Sequence, residues 1–474
     1  MTDTLTSATP AQREPRPKKK GSGLFRAIWR WHFFASFLVI PVLLVLAVTG
    51  LIYLFRFQLE PLMHPDLMKL DAPAATAVQQ PYSAQLAAVR QTYPDVTVRS
   101  LGEPREDGKP TIFSVTTADG AGRDVYVDPY GPRVLGSMDP DSTLSGTAVR
   151  LHANLMSGTV GDRVLELGAC WAIVMALTGY YLFVRGWRAR RRGSKAGRKG
   201  AKLRSRHGLV GAVVGLGLLT LLVSGLPWTG LWGAKVQELA TDRGTSLWSE
   251  DHGAASDPLS TLDESLPHAH SVDVPWAQQE SEVPTSDPTG HVGSVANVDT
   301  AIAVAEGEGL RHPMTVTVPA DGAGVFSVIG YAFDAPSDEK TVHVDQYGGQ
   351  VVSTYGFDDY PALAKVVSQG IGVHEGRSFG LVSFWGSALM CLAIIFMCVS
   401  GPLMWWRRRP RGAARVGAPR GKLPVLRSPV LLVGLIGLGV LLPLFGLSLV
   451  VVLALDQLVL RRVPALTGFF DTVQ

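Results

Sequence analysis

Five stretches of this chain, near 33–55, 164–184, 208–234, 379–406 and 430–455, run for about twenty residues with almost no charge. A stretch of that kind has few ways to fold. About 20 apolar residues cross a bilayer as a helix, and inside lipid every backbone N–H and C=O must be paired within the segment. Composition agrees: 46% hydrophobic against 18% charged residues is too apolar for an ordinary soluble protein of 474 residues.

Charge then sets the orientation. Seven Lys/Arg and two acids precede residue 32, while 185–206 holds eleven Lys/Arg and 407–427 holds eight, neither with an acid. By the positive-inside rule all three are cytoplasmic, and the basic runs are topology signals rather than a nucleic-acid surface. The long connections are acidic, with twelve Asp/Glu against eight Lys/Arg over 57–150 and 21 against five over 233–373, so both lie outside. The basic N-terminus runs into its apolar stretch with no small-residue cleavage site close behind, which reads as an uncleaved signal anchor. A fifth helix carries the C-terminus outside, although Arg461 and Arg462 argue for the opposite side. The three cysteines, Cys170, Cys391 and Cys398, fall in apolar runs and read as small core residues rather than a disulfide framework.

The apolar runs belong to a duplicated unit. His32 precedes Gly50 by 18 residues and His207 precedes Gly225 by 18; His152 precedes Gly179 by 27 and His374 precedes Gly401 by 27. Between the runs, each copy carries a small α/β pattern. The first has helical spacing over 82–93 and strand-like runs at 96–101, 111–117 and 123–128; the second has a helix over 298–308 and strands near 314–318, 324–330 and 340–345. Val125-Tyr126-Val127-Asp128-Pro129-Tyr130-Gly131 recurs 217 residues later as Val342-His343-Val344-Asp345-Gln346-Tyr347-Gly348. Each copy crosses the membrane twice, so a pseudo-twofold axis along the membrane normal is expected. The predicted fold is an α-helical membrane protein of two tandem repeats (helix, external α/β module, helix) plus a fifth C-terminal helix. Its parts are a disordered tail 1–23, helix 24–56, external module 57–150, helix 151–186, basic loop 187–206 and helix 207–232. There follow external module 233–373 with a loose acidic insertion over 245–295, helix 374–406, basic loop 407–428, helix 429–456 and tail 457–474.

The repeated histidines carry the chemistry. Eighteen helical residues rise about 27 Å, close to the ~30 Å hydrocarbon thickness. His32 and His207 therefore sit at the cytoplasmic leaflet, and His152 and His374, which precede inward-running helices, at the outer boundary. One such His is an ordinary interface residue; four at matched repeat positions point to ligation. Two facing imidazoles in a helix bundle suit a haem iron, giving two b-type haems, one per leaflet, without covalent attachment. Zinc is the other metal to weigh. Two His with no Cys or carboxylate leave its shell unfilled, though Glu375 adjoins His374.

The remaining histidines are weaker candidates. His64 lacks a repeat partner, His252, His268, His270, His291 and His312 read as loop residues, and His343 takes a surface or sheet position. Gly211, Gly215 and Gly217 lie inside a membrane helix, where they permit close helix packing and not dinucleotide binding. No nicotinamide or flavin fold is visible, so electrons passing to such haems would come from a membrane quinol or a separate cytoplasmic reductase.

Several of these pieces together resemble the PepSY-associated transmembrane family of iron-regulated bacterial inner-membrane proteins. They are the two Tyr-Val-Asp-type hairpins, Leu151-His152 through Gly158, His374 through Gly380, and Gly401 with the Trp405-Trp406-Arg407-Arg408-Arg409-Pro410 ending, over roughly 25–410. The resemblance implies PepSY-like external modules, a multi-pass place in the bacterial cytoplasmic membrane with the N-terminus inside, and a role in iron acquisition. Some members look like haem-containing ferric-siderophore reductases. The expected activity is a transmembrane di-haem electron conduit that reduces an external ferric siderophore or other ferric chelate. Two readings stand beside it: a non-redox membrane-anchored PepSY protein that binds a partner or inhibits a peptidase, and a transporter.

Overall fold

The computed structural model describes residues 23–70, 77–196, 200–246, 260–261, 278, 281–287, 296–330, 335–408, 416, 418 and 428–470. In the first half, helix α1 (Gly23–Leu54) is followed by α2 (Tyr82–Thr92) and strands β1 (Thr97–Gly102), β2 (Thr111–Thr116), β3 (Gly122–Asp128) and β4 (Arg133–Met138). Helices α3 (Leu144–Asn154), α4 (Gly158–Lys195) and α5 (Ala201–Gly225) come next. The second half repeats the pattern with α6 (Val298–Gly307) and strands β5 (Thr315–Thr317), β6 (Val325–Ile329), β7 (Lys340–Asp345) and β8 (Val351–Gly356). It ends in α7 (Ala362–His374), α8 (Leu381–Arg408), α9 (Pro429–Leu441), α10 (Pro443–Leu455) and α11 (Pro464–Phe470).

Helices α1, α4, α5 and α8 pack as a ring in which α1 touches α4 and α8, and α5 touches α4 and α8. Small residues set the spacing. A Cβ on Gly168 of α4 would meet Val42 of α1 at 2.7 Å, and one on Gly217 of α5 would meet Met390 of α8 at 2.2 Å. These glycines let backbones approach, as membrane helices need where no hydrophobic force drives association. Five helices are long and apolar enough to cross a membrane, the fifth being Pro443–Leu460.

The two α/β modules fuse. All eight strands form one antiparallel sheet in the order β8-β7-β6-β5-β1-β2-β3-β4, joined where Ser100, Leu101 and Gly102 of β1 pair with Thr317, Val316 and Thr315 of β5. The period-two pattern puts Phe113, Val125 and Val127 with Val316, Val328 and Val344 on one face, where α2 and α6 cover them through Leu86, Val89, Ile302 and Ala305. One module also caps the other's helix: Asp299 of α6 accepts from the backbone N–H groups of Tyr82 and Ser83 at 2.7 and 3.0 Å. On the opposite face the copies differ. Tyr126 and Gly136 in the first module lie beside Glu60 and Leu67, from the short helices after α1. In the second module part of the insertion takes that place. Gln278 is fully buried and accepts from Thr341 Oγ1, while Ser286 Oγ donates to the Gly324 carbonyl at 2.7 Å. The expected loose insertion is thus partly a packed strap. His343 is 1% exposed and hydrogen-bonded to Ser327 Oγ at 2.8 Å, a buried sheet residue rather than a surface one, and burial pulls its pKa down to about 4.

Three boundaries differ from expectation. His152 and His374 do not head the membrane helices; each sits in the last turn of a short preceding helix, α3 or α7. Leu155 and Met156 separate α3 from α4 in left-handed conformations at φ 52 and 54°. The basic stretch 187–206 is mostly helical, because α4 runs to Lys195 and α5 starts at Ala201. The apolar stretch 429–456 is not one helix. It breaks at Leu442, where Pro443 lacks an N–H and pushes its predecessor out of the α region. The break folds α9 and α10 onto each other, so a Cβ on Gly439 would meet Gly446 Cα at 3.4 Å, whereas seven helical residues rise about 10 Å. At the hairpin turn Leu442 and Phe445 are buried, Trp232 donates to the Leu441 carbonyl at 2.9 Å and Trp171 to Ser448 Oγ at 2.9 Å. The chain then returns to its starting side. Val416 N–H donates to Phe469 O at 3.0 Å, and Arg30 donates to the carbonyls of Ala418 and Phe470. The expectation that the fifth segment carries the C-terminus to the far side is therefore corrected: residues 469–470 lie with Arg30, Val416 and Ala418.

The tail over 1–22 and His252, His268, His270 and His291 lie outside the described residues.

Candidate functional site

Four side chains meet the bundle axis in two pairs. His152 and His374, nearest the α/β sheet, have ring centroids 6.2 Å apart and planes at 85°. His32 and His207, toward the other end of the bundle, lie within electrostatic reach of each other. In each pair one imidazole comes from each repeat copy.

Every imidazole is supported in the same way. His32 Nδ1 lies 3.1 Å from Thr178 Oγ1, His152 Nδ1 2.9 Å from Thr49 Oγ1, His207 Nδ1 2.8 Å from Ser400 Oγ, and His374 Nδ1 3.0 Å from Ser224 Oγ. In all four the hydroxyl belongs to a long helix of the same copy, different from the helix that carries the histidine. Each hydroxyl also donates back to a carbonyl of its own helix: Thr178 to Met175, Thr49 to Val45, Ser400 to Met397 and Ser224 to Thr220. With its proton committed, the hydroxyl accepts, so Nδ1 carries the imidazole hydrogen and Nε2 keeps its lone pair. The next residue is glycine each time. An added Cβ would stand 3.3 Å from His32 Cε1 at Gly179, 3.6 Å from His152 Cε1 at Gly50, 3.4 Å from His374 Cε1 at Gly225 and 3.9 Å from His207 Cε1 at Gly401. At Gly179 the added Cβ would crowd the ring and at the other three it would touch it at ordinary contact distance, so each glycine lies directly beside an imidazole. The sequence shows these glycines by their spacing, and the Thr/Ser before each one shares that spacing.

The two short helices that present the sheet-side histidines are anchored by buried carboxylates. Glu60 accepts from Ser145 N–H at 2.6 Å and Oγ at 2.7 Å at the start of α3, beside the Thr143 cap on Gly146 N–H at 2.9 Å. Glu339 accepts from Arg377 at 2.9 Å, Tyr360 OH at 3.1 Å and Ser368 Oγ at 3.2 Å, fixing α7. Burial raises the Glu339 pKa, with Arg377 pulling the other way. Arg377 Nε also donates to Glu375 at 2.8 Å, so the acid next to His374 is committed to an ion pair. Trp228 closes one side, its ring 5.8 Å from that of His374.

Among the described residues no group of three His, Cys, Asp or Glu is arranged to hold a metal ion.

Two other histidines find partners. His64 Nε2 lies 3.9 Å from Glu60. His312, expected as a solvated loop residue, bridges the sheet seam: Nδ1 lies 2.6 Å from Glu103 of the first module and Nε2 2.7 Å from Glu306 of the second. Partial burial opposes its charge, but the two carboxylates prevail and its pKa is raised. It borders an open cleft of about 710 Å³ with Tyr82, Glu103 and Asp299, which none of the four bundle histidines lines.

The model for the PepSY-associated TM region matches residues 29–408, about four fifths of the chain. No curated protein matches it.

Proposed function

The chain belongs to the PepSY-associated transmembrane family, and from that premise we infer that its histidine pairs hold two b-type haems in a transmembrane electron conduit. The observation that carries this is the fourfold support: hydroxyl on Nδ1, glycine under the ring, at four repeat-matched positions. Packing alone has no need of the same tautomer-fixing contact four times. The residues fit the group. His32 and His207 supply two Nε2 lone pairs at one level and His152 and His374 two more at the other, and a porphyrin completes the shell that zinc would leave open.

When bound, haem iron supplies reversible one-electron chemistry. The protein's own part is positional. Thr49, Thr178, Ser224 and Ser400 hold the imidazoles in the ligating tautomer and raise their basicity. Glu60 and Glu339 fix the helices that carry His152 and His374 to the sheet, so ligand geometry and module position are set together.

In this reading the α/β sheet lies outside the bacterial cytoplasmic membrane and the basic ends lie in the cytoplasm, where a quinol or a separate reductase donates. The acceptor is an external ferric chelate, a ferric siderophore in iron acquisition. Gaining one electron turns Fe(III) into Fe(II), for which hard oxygen donors are poorer ligands, and the metal is released. The antiparallel β1/β5 seam and the inter-copy histidine pairs support a pseudo-twofold axis along the membrane normal. The visible spectrum of the purified protein tests the reading. A low-spin b-type spectrum, reducible by dithionite, is expected; a colourless protein from haem-replete cells contradicts it and leaves the anchored binding module as the alternative.

A further inference from the structure

The face that α5 turns to lipid does not end where its apolar residues end. Leu209, Val213 and Leu216 are exposed and follow one another at helical spacing, which places them in one stripe. The same spacing carried back toward the start of α5 meets Arg206 and Lys202, both exposed. Helix α4 does likewise. Leu177 and Val184 are exposed on one stripe, and Arg188, Arg191 and Lys195 continue it. The positive-inside rule asks for bases at this end of the bundle and is indifferent to the helix face that bears them.

The inward base is already satisfied. Arg190 donates to the carbonyls of Leu182, at 3.1 Å, and of Phe183, and its guanidinium lies 4.4 Å from the centre of the Phe183 ring. The outward bases differ. Among the described residues no acid or carbonyl engages Arg188, Arg191, Lys202 or Arg206, and Arg191 lies only over the Trp187 ring, at 5.3 Å. Residues 185–206 hold no acid at all. Helices α4 and α5 stay packed past these positions: a Cβ on Gly193 would meet Arg204 Nη2 at 3.1 Å and Ala201 Cβ at 4.0 Å. The four bases are therefore presented on helix flanks.

Depth identifies the partner. Beyond the ~30 Å hydrocarbon core, each headgroup layer adds about 5–8 Å. Val184 and Leu209 are the last exposed apolar residues of their stripes, and exposed Trp187 marks the interface on α4. Arg188 stands about 6 Å past Val184 and Arg206 about 5 Å past Leu209, both within that layer. Arg191 and Lys202 stand about 10 Å past the same markers, and their long stems reach back to it. All four can donate to phosphate oxygens, the guanidiniums through two bonds at once. Lys195, about 16 Å past Val184, lies outside the layer.

We propose that Arg188, Arg191, Lys202 and Arg206 form a binding surface for anionic phospholipids, gripping their phosphodiester groups from the flanks of the α4–α5 hairpin. A soluble acidic protein would meet the hairpin tip, where Lys195 lies; these four sit beside headgroups. The surface involves neither histidine pair and stands apart from the conduit reading. Each base near an anionic membrane strengthens the attraction about fivefold, a preference that a zwitterionic lipid does not match.

The full-length protein in detergent micelles is titrated with phosphatidylglycerol or phosphatidylcholine, and bound lipid is counted by native mass spectrometry. The wild type should bind its first phosphatidylglycerol about tenfold or more tighter than its first phosphatidylcholine. The variant Arg188→Gln/Arg191→Gln/Lys202→Gln/Arg206→Gln should lose most of that preference. Arg188→Lys/Arg191→Lys/Arg206→Lys should keep much of it, and Lys195→Gln should keep all of it. An unchanged thermal transition shows that the variants are folded. If the fourfold variant does not fold, Arg188→Gln/Arg191→Gln and Lys202→Gln/Arg206→Gln carry the test, each removing part of the preference. Equal binding of the two lipids by the wild type, an undiminished preference in the Gln variants, or an equal loss in Lys195→Gln overturns the proposal. So does polyglutamate that binds through these residues in phosphatidylcholine nanodiscs without any preference for phosphatidylglycerol, which assigns the hairpin to an acidic protein.

Discussion

A hydroxyl three ångströms from an imidazole decides which nitrogen of the ring is available, and this protein repeats that decision four times. Replacing Thr178 by Val, or Ser224 by Ala, keeps the helix but removes the acceptor for Nδ1. Haem affinity should fall by about 10–100-fold at the level concerned, with little change at the other; stepwise haem titration of the apo-protein reads this directly. Equal loss at both levels would contradict independent support. His312 works differently. Its raised pKa stabilises the folded seam fully below the ordinary value of 6.5, and this contribution is lost as pH rises through the folded value. Glu103 and Glu306 face it directly, Tyr82 and Asp299 share its cleft, and the neighbouring Arg311 is paired with Asp338 at 3.1 Å. The difference in Tm between wild type and His312→Ala should therefore be larger at pH 5.5 than at pH 8.5. Half of the His312 side chain is exposed, so solvent screening keeps the difference modest. A gap that grew with pH would show that the imidazole is not held as a cation.

Elements with a strong period were legible in the sequence. Residues 82–93 and 298–308 gave helices ending within a residue or two of expectation, and the strand runs of both modules fell where alternation placed them. What escaped was long-range. Nothing local to β1 or β5 says that two modules 200 residues apart will share a sheet edge, and nothing in the polar insertion says that Gln278 will be buried against Thr341, two residues from His343. The α9–α10 turn is a different case, because Pro443 was visible, yet a proline in a membrane helix often only kinks it. Closure into a hairpin needed the Gly439–Gly446 contact and the return of Phe469 and Phe470 to Val416 and Arg30. The outcome reconciles the helix count with Arg461 and Arg462, which the charge rule groups with the other basic segments. In a protein lacking Cys170, Cys391 and Cys398, a cysteine at Arg462 should react with an impermeant thiol reagent from the same side as one at Arg191, and from the side opposite to one at Asp119. Labelling of the Arg462 position together with Asp119 would mean that the hairpin opens into a full crossing.

Across the whole molecule, the duplicated unit explains why the site lies where it does. A single copy offers one histidine at each level, and the second copy completes a pair at both; on the proposed haem reading one copy alone has too few ligands. The shared sheet fixes the copies above the bundle, while α9 and α10 pack beside it through Trp171 and Phe445, whose ring centroids are 5.0 Å apart. The His pairs were legible from spacing alone because both copies kept it. Their arrangement as cross-copy neighbours required the bundle. The most direct test is haem content in the four single variants, measured as pyridine haemochrome per chain. His152→Ala and His374→Ala should each lower it from two to one and leave the same residual spectrum. His32→Ala and His207→Ala should also leave one haem, with the complementary spectrum. If His152→Ala and His374→Ala left different haems behind, or if the wild type held none, the paired-ligand account would be wrong.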